Sequence, residues 1–165
     1  MEKLKRVYFS LGSNLGDKKK NLHDAIELLK ERVRITKISS IYETPPLGFV
    51  SNDFFLNLCV QAEVSLDPLD LLVFTQSVEK KIGRLKKSVD NQYSSRVIDI
   101  DIIFFDHLVL NHENLVLPHK LFRDRKFVLF PLHEIGGELI DPLTHKTVSQ
   151  LINECSDRSN ISIVN

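Results

Sequence analysis

Apolar residues recur along the chain with two different spacings, and each spacing predicts one kind of element. Apolar residues at every second position, or in short β-branched and aromatic runs, predict strands over residues 5–11, 35–43, 54–64 and 95–105. Apolar residues three and four apart predict helices over residues 18–33 and 68–82. Asp17 and Asp67 are suited to cap the first turns of these helices, and Gly83 is suited to end the second.

The last third of the chain has a less regular pattern. It predicts a short strand over 108–110 and a short helix within 127–135, in spite of Pro131. Thr147 is suited to cap a last helix that reaches about Cys155. The polar tail after this helix is expected to fray.

The first six predicted elements follow the order strand, helix, strand, strand, helix, strand. This order is typical of the α+β class and of the ferredoxin-like βαββαβ fold, in which an antiparallel sheet carries its helices on one side. The last third of the chain would then form a C-terminal extension. A chain of 165 residues without an internal repeat or a linker is expected to fold as a single domain over residues 1–165.

Composition narrows the classes of function. The formal net charge is +0, so bulk charge favours neither nucleic acid nor a membrane surface as a partner. The sequence contains no run of about 18 apolar residues and no signal-peptide pattern. Its histidines and cysteines do not have zinc-ligand spacing, and two free thiols fit a reducing compartment. We therefore expect a cytoplasmic protein.

Two carboxylates interrupt the predicted strand over residues 95–105. Asp99 and Asp101 point to the same side of a strand, with roughly 7 Å between their Cα atoms. The opposite side is apolar and consists of Ile98, Ile100, Ile102 and Phe104. Mg²⁺ prefers carboxylate oxygens and would offset the repulsion within the pair, and Arg96 adds a guanidinium suited to phosphate. The pattern predicts either a magnesium and phosphate site or an amphipathic strand whose carboxylates meet water or lysines.

Other segments also carry side chains suited to ligands. Phe55 and Asn57 share the polar side of the strand over 54–64, which predicts either a site for a planar heterocycle or packing under a loop. Residues 84–95 form a polar loop with several cations, which predicts either a mobile lid over a polyphosphate or a solvated connection. His119 and Arg125 lie in one short segment that is suited to phosphate.

Motifs spread over nearly the whole chain resemble those of the 6-hydroxymethyl-7,8-dihydropterin pyrophosphokinase family. They are Gly12-Ser13-Asn14, Tyr42-Glu43-Thr44-Pro45-Pro46-Leu47-Gly48, Phe55-Leu56-Asn57, Gly83-Arg84, Arg96-x-x-Asp99-Ile100-Asp101, Pro118-His119, Arg125-x-Phe127 and Pro131-Leu132-x-Glu134-Ile135. The resemblance implies an ATP-dependent diphosphotransferase of folate biosynthesis. Such an enzyme would transfer the β,γ-diphosphate of ATP to the hydroxymethyl oxygen of the pterin and release AMP.

The resemblance also implies roles for single residues. Asp99 and Asp101 would hold two Mg²⁺ ions against the ATP phosphates, and Arg84 and Arg96 would join them as catalytic residues. The residues expected to contact ATP are Gln76, Glu79, Arg84, Lys86, Tyr93, Arg96, Ile102, His119 and Arg125. The residues expected to contact the pterin are Thr44, Pro45, Leu47, Phe55, Asn57 and Phe127, with the rings of Phe55 and Phe127 on either side of it. The partners are then two small molecules, and a monomer is expected.

The chain departs from the family pattern at a few positions. Ser94-Ser95-Arg96 stands where the family commonly has Gly-Pro-Arg or similar, and Tyr93 stands where a tryptophan is common. Phe55 replaces a frequent tyrosine, and Lys120 follows His119 where an aromatic residue is common. These departures concern the closing of the predicted lid and individual contacts rather than the chemistry.

Two other classes of protein fit parts of the pattern. A non-catalytic ferredoxin-like module would bind a small ligand or RNA through aromatic residues on its sheet, although two aspartates on that face would repel phosphate. A magnesium-dependent nucleotidyltransferase also uses paired carboxylates, and it would release pyrophosphate where the pyrophosphokinase releases AMP.

Overall fold

The computed structural model describes residues 2–45, 54–83 and 97–164. Strands and helices follow the chain in the order β1 (Lys5–Ser13), α1 (Lys18–Leu29), β2 (Arg34–Ile38), β3 (Ile41–Thr44), β4 (Phe55–Val64), α2 (Pro68–Gly83), β5 (Asp99–Phe105), β6 (Leu110–Asn111), β7 (Val116–Leu117), α3 (Lys126–Gly136), α4 (Val148–Glu154) and β8 (Ser162–Val164). A single 3₁₀ turn, Phe122–Asp124, precedes α3. In these three ranges no helix is long and apolar enough to cross a bilayer.

The main sheet has the strand order β5-β1-β4-β3-β8, and β2 pairs with β4 beside this path. Every strand pair that the structure describes is antiparallel. The long pairing of β1 with β4 runs from Lys5 opposite Val64 to Ser13 opposite Leu56, and it forms the centre of the sheet. The predicted mixture of helices with an antiparallel sheet is confirmed.

Helices cover both faces of the sheet. Side chains of α1 and α2 such as Leu22 and Leu71 pack with Val7, Phe9 and Leu11 of β1 in the first hydrophobic cluster. Side chains of α3 and α4 pack in a second cluster with residues of the opposite face, including Tyr8, Cys59 and Ile103. The two helices of the predicted βαββαβ core, α1 and α2, lie on one side as expected, and the helices of the C-terminal extension cover the other side. The opposite face has its own apolar residues, and these require a cover.

A β-bulge in β5 changes the face that its later residues occupy. Tyr8 lies opposite Phe104 while Phe9 lies opposite Ile102, so Ile103 is an extra residue in the strand. Phe104 consequently packs in the second cluster, and Phe105 packs in the first. The prediction that Phe104 shares the face of Ile100 is wrong, because strict alternation holds only in an unbroken strand.

The predicted second strand is split into β2 and β3 at two serines. The Ser39 hydroxyl accepts a hydrogen bond from the Cys59 amide at 2.9 Å, and the Ser40 amide donates to Glu134 Oε2 at 2.7 Å. The Tyr42 hydroxyl donates to the other carboxylate oxygen of Glu134 at 2.8 Å. Burial and the adjacent Glu134 carboxylate raise the pKa of Tyr42. Glu134 thereby fixes α3 to the sheet at β3.

Residues at the ends of the helices and in the C-terminal tail show which local predictions hold. Asp17 caps α1 by accepting from the Lys20 amide at 3.1 Å, and Thr147 caps α4 in a capping box with Gln150. The tail was expected to fray, but residues 162–164 form β8, which pairs with β3. Its pairing depends on a strand about 120 residues away, which no local pattern indicates.

Candidate active site

One pocket lies on the face of the sheet opposite α1 and α2, where residues of β1, β3, β4 and β5 meet the start of α3. It contains about 480 Å³ of space free of protein atoms, part of which is open to solvent. The residues that line it are Ser10, Gly12, Thr44, Pro45, Phe55, Asn57, Asp99, Asp101, Arg125 and Phe127. Sequence reasoning assigned eight of these ten to a site, and it missed Ser10 and the role of Gly12.

Asp99 and Asp101 reach the pocket from β5. They lie opposite Gly12 and Ser10 of β1 in the sheet register, while Ile100 between them is buried in the first cluster. The predicted placement of both carboxylates on one side of the strand, away from the helices α1 and α2, is confirmed. Residues 99–101 therefore contribute one side chain to the core and two to the pocket.

His119 lies next to the carboxylate pair. Its Nε2 is 3.9 Å from Asp101 Oδ2, and its Nδ1 accepts a hydrogen bond from the Leu121 amide at 3.1 Å. Its backbone amide donates to the carbonyl of Ile103, the bulge residue, at 2.9 Å. The β-bulge thus provides an acceptor that holds His119 beside β5.

His119 is a neutral hydrogen-bond donor at physiological pH. Burial lowers its pKa to about 4, with the positive charge of Arg125 acting in the same direction and the Asp99 carboxylate acting against them. Because Nδ1 accepts a hydrogen bond, the neutral ring carries its proton on Nε2, the atom that faces Asp101. Such a group can donate to an anionic oxygen without carrying charge itself.

The first turn of α3 supplies Arg125 and Phe127. The Arg125 guanidinium lies over the Phe127 ring, 5.5 Å from its centroid, which orients both side chains. The preceding turn is anchored by Arg123, whose guanidinium forms two hydrogen bonds with the fully buried Asp141 at 2.6 and 3.0 Å. The segment that carries Arg125 is therefore held by charge pairing as well as by Phe122 in the second cluster.

Asn57 forms the floor of the pocket together with Gly12 and Thr44. The Asn57 side chain is 3% exposed and donates from Nδ2 to the Thr44 hydroxyl at 3.3 Å. A Cβ atom at Gly12 would lie 2.6 Å from Asn57 Oδ1, closer than real contacts allow. Gly12 lies inside β1, and a glycine inside a strand is itself a signal for close approach by a neighbour.

The structure does not bring every predicted site residue to this pocket. Gln76 is exposed and Glu79 half-buried on α2, which packs on the opposite face of the sheet. Ile102 is 3% exposed within the first cluster, so its side chain presents almost no open surface to an adenine ring. Leu47, Arg84, Lys86, Tyr93 and Arg96 lie outside the described residues. Their predicted roles stay predictions.

The carboxylate pair suits magnesium better than a metal that needs several protein ligands. Among the residues that the structure describes, no group of three or more His, Cys, Asp or Glu side chains could hold a metal ion. Mg²⁺ is commonly held by one or two carboxylates together with water and substrate phosphates. Asp99 and Asp101 on the wall of one pocket fit that requirement.

The fold and the pocket together define a small protein of helices and an antiparallel sheet, with a pocket lined by carboxylate, aromatic and basic side chains. The profile of 7,8-dihydro-6-hydroxymethylpterin-pyrophosphokinase (HPPK) matches residues 8–137. The chain belongs to this family.

Curated relatives of the chain include single-function and bifunctional proteins. It is 41% identical over 146 residues to 2-amino-4-hydroxy-6-hydroxymethyldihydropteridine pyrophosphokinase of Bacillus subtilis, covering 87% of this chain and 86% of that one. It is 43% identical over 134 residues to the bifunctional protein FolKE of Lactococcus lactis, covering 80% of this chain. It spans only 38% of FolKE and 20% of the folic acid synthesis protein fol1 of Pneumocystis carinii.

Solved structures of a bifunctional protein share the fold. A wild-type HPPK-DHPS structure from Plasmodium falciparum, with pterin and p-hydroxybenzoate, aligns with a TM-score of 0.73 at 18% identity. The alignment covers 93% of this chain and 43% of that chain. At this identity the likeness supports the architecture alone.

Proposed function

We propose that this protein transfers the β,γ-diphosphate of ATP to the hydroxymethyl group of 6-hydroxymethyl-7,8-dihydropterin and releases AMP. The observation that carries the proposal is the single pocket in which Asp99 and Asp101 face the same space as Phe55, Asn57 and Phe127. Membership of the HPPK family and the names of relatives such as the Bacillus subtilis enzyme support it.

The pterin would occupy the part of the pocket between Phe55 and Phe127. Aromatic rings in the lining suit a planar bicyclic heterocycle, because they can stack on its faces. Asn57 and the backbone at Thr44 and Pro45 would contact the polar edge of the heterocycle. Because such groups are buried, a ring without matching donors and acceptors would leave them unpaired and would bind weakly.

The phosphates of ATP would lie beside the carboxylates. Asp99 and Asp101 would hold two Mg²⁺ ions, which when bound neutralise phosphate charge and polarise the phosphorus centre. Arg125 and the Nε2–H of His119 would donate hydrogen bonds to phosphate oxygens, and Arg84 and Arg96 would add positive charge. The protein would act by holding the hydroxymethyl oxygen in line with the β-phosphorus, without a covalent enzyme intermediate.

We also propose that the chain has a ferredoxin-like core. The order β5-β1-β4 with β2 and β3 beyond it, and with α1 and α2 on one face, supports a ferredoxin-like core. We further propose a single domain over residues 1–165, a monomer and a cytoplasmic location. Gln76, Glu79, Lys86 and Tyr93 are proposed to contact ATP, and Leu47 the pterin.

A single assay tests the proposed reaction. The protein is incubated with ATP, Mg²⁺ and the reduced hydroxymethylpterin, and nucleotide products are separated by chromatography. We expect AMP only when both Mg²⁺ and the pterin are present. Release of pyrophosphate instead of AMP would indicate a nucleotidyltransferase, and no pterin-dependent consumption of ATP would indicate a binding module.

A further inference from the structure

The helix that supplies Arg125 and Phe127 does not cap its own N-terminus. Arg125 occupies the N-cap position with extended backbone angles, φ −127° and ψ 106°, and within the described part of the chain its side chain makes no capping hydrogen bond. A cation at this position is also unfavourable, because the helix dipole places partial positive charge there. Arg125, which is proposed to contact phosphate, thus stands at the position where a capping residue is preferred.

The missing cap comes from the C-terminal tail. Asp157 Oδ2 accepts a hydrogen bond from the Lys126 amide, the first N–H of α3, at 3.0 Å. Asp157 Oδ1 accepts from the Ser159 amide and hydroxyl at 2.8 and 2.6 Å, and the Lys126 ammonium donates to the Ser159 carbonyl at 3.0 Å. The tail therefore bonds both the amide and the ammonium group of Lys126. Lys126 lies between the pocket residues Arg125 and Phe127.

The same tail also pairs with the opposite wall of the pocket. In β8, Ser162, Ile163 and Val164 lie opposite Glu43, Tyr42 and Ile41 of β3. Thr44 and Pro45, which come directly after Glu43, line the pocket. Residues 157–164 therefore contact α3 and β3, two elements that both contribute residues to the pocket.

We propose that residues 157–164, here called the C-terminal strap, are a positioning element that fixes the distance between the α3 wall and the β3 wall and thereby sets pterin affinity. The proposal rests on the proposed function of the pocket. The strap lies beyond residues 8–137, the part of the chain that the family profile matches. None of its residues is among those that line the described pocket, so its effect passes through Arg125, Phe127, Thr44 and Pro45.

A purely structural role for the strap makes a different prediction from a positioning role. Loss of any helix cap lowers the free energy of unfolding. A purely structural effect of this kind should change the KM of both substrates or of neither. Loss of the strap should affect the pterin more than ATP, because both walls contact the pterin in the proposed site whereas only Arg125 on these walls contacts ATP. Thr147→Ala is a matched control, since it removes the cap of α4, which contributes no pocket residue.

The test compares Asp157→Ala, Asp157→Asn and Ile163→Pro with Thr147→Ala and the unchanged protein. KM for each substrate, kcat, the thermal midpoint and hydrogen exchange at the Lys126 amide are measured for each. We expect Asp157→Ala to raise the pterin KM about fivefold, the equilibrium effect of one lost cap, with a smaller change for ATP. Asp157→Asn keeps one oxygen acceptor and should lie between the unchanged protein and the alanine variant.

Ile163→Pro tests the other end of the strap, because proline cannot donate to the strand ladder. We expect it to raise the pterin KM in the same direction. Unchanged KM values in folded Asp157→Ala and Ile163→Pro, or an equal rise in Thr147→Ala, would overturn the proposal. If Asp157→Ala does not fold, Asp157→Asn and Ile163→Pro decide the question in the same way.

Failure of the proposed function is recognised separately. If the unchanged protein forms no AMP, the reaction is wrong, and the strap is then judged by calorimetric binding of the pterin and by hydrogen exchange at Lys126. Faster exchange with weaker pterin binding in Asp157→Ala would support the strap, and unaltered binding would refute it.

Discussion

Gly12→Ala is expected to disturb the pocket floor more than its size suggests. The added Cβ would lie 2.6 Å from Asn57 Oδ1. Asn57 cannot swing away without loss, because it is buried at 3% exposure and donates to the Thr44 hydroxyl. Overpacking of this kind costs about 1–3 kcal/mol of unfolding free energy. Displacement of the Asn57 amide should also weaken pterin binding about fivefold, since one hydrogen bond is worth about 1 kcal/mol.

The assay is urea unfolding together with the pterin KM from AMP formation. Gly136→Ala is the control, because its Cβ would meet the Tyr8 ring at 3.5 Å, an ordinary contact distance. The control should leave the pterin KM unchanged. A double-mutant cycle with Asn57→Ala isolates the clash, and the stability cost of Gly12→Ala should shrink when the Asn57 amide is absent. An equal cost in both backgrounds would refute the reasoning.

Three further predictions concern the carboxylates, the aromatic wall and His119. Asp99→Ala or Asp101→Ala should abolish AMP formation while the thermal midpoint stays within a few degrees, since both side chains line the pocket rather than the core; near-normal turnover in both variants would exclude a metal role. Phe55→Ala should weaken pterin binding more than ATP binding in calorimetry, and the opposite order would contradict stacking. The pKa of His119 falls from 6.5 to about 4 on folding, so this group contributes stability that is complete above pH 6.5 and is lost as the pH falls towards 4. In metal-free protein His119→Gln should therefore show a flatter loss of unfolding free energy over that window, and parallel curves would contradict the shift.

The elements that sequence alone predicts well are those whose signals are local. Asp17 and Thr147 cap the helices expected of them, because capping involves residues only three positions apart. Strand β4 was expected over 54–64 and is observed over Phe55–Val64, since its alternation is regular. The shared side of Asp99 and Asp101 follows from the same two-residue period.

The features that could not be predicted depend on residues far apart in the chain. The bulge at Ile103 is defined by the register with Tyr8 and by the His119 amide, neither of which is visible within β5. The break at Ser39 and Ser40 is completed by Glu134 of α3. The clash at Gly12 requires Asn57, which is 45 positions away and becomes a neighbour only when β1 pairs with β4.

The face of the sheet that bears the site has a polar part and an apolar part, and the bulge in β5 lies at the boundary between them. Up to Asp101 this face is polar and lines the pocket, whereas from Ile103 onward it packs under α3 and α4. The extra residue at Ile103 allows two consecutive apolar side chains, Ile103 and Phe104, to serve the second cluster. Removal of this extra residue would leave Phe104 on the same face, since alternation from Ile102 then continues unbroken, but it would remove the Ile103 side chain from the second cluster and the carbonyl that holds His119.

Helix α3 likewise contributes to both the hydrophobic core and the pocket. Its apolar residues Val128, Leu129 and Leu132 cover the second half of the sheet face, and its first turn supplies Arg125 and Phe127 to the pocket. The proposed binding residues therefore lie at the boundary between a hydrophobic core and a ligand cavity. Any contact that shifts α3, including those made by Glu134 and Asp157, should change ligand affinity as well as stability, because one helix forms part of both.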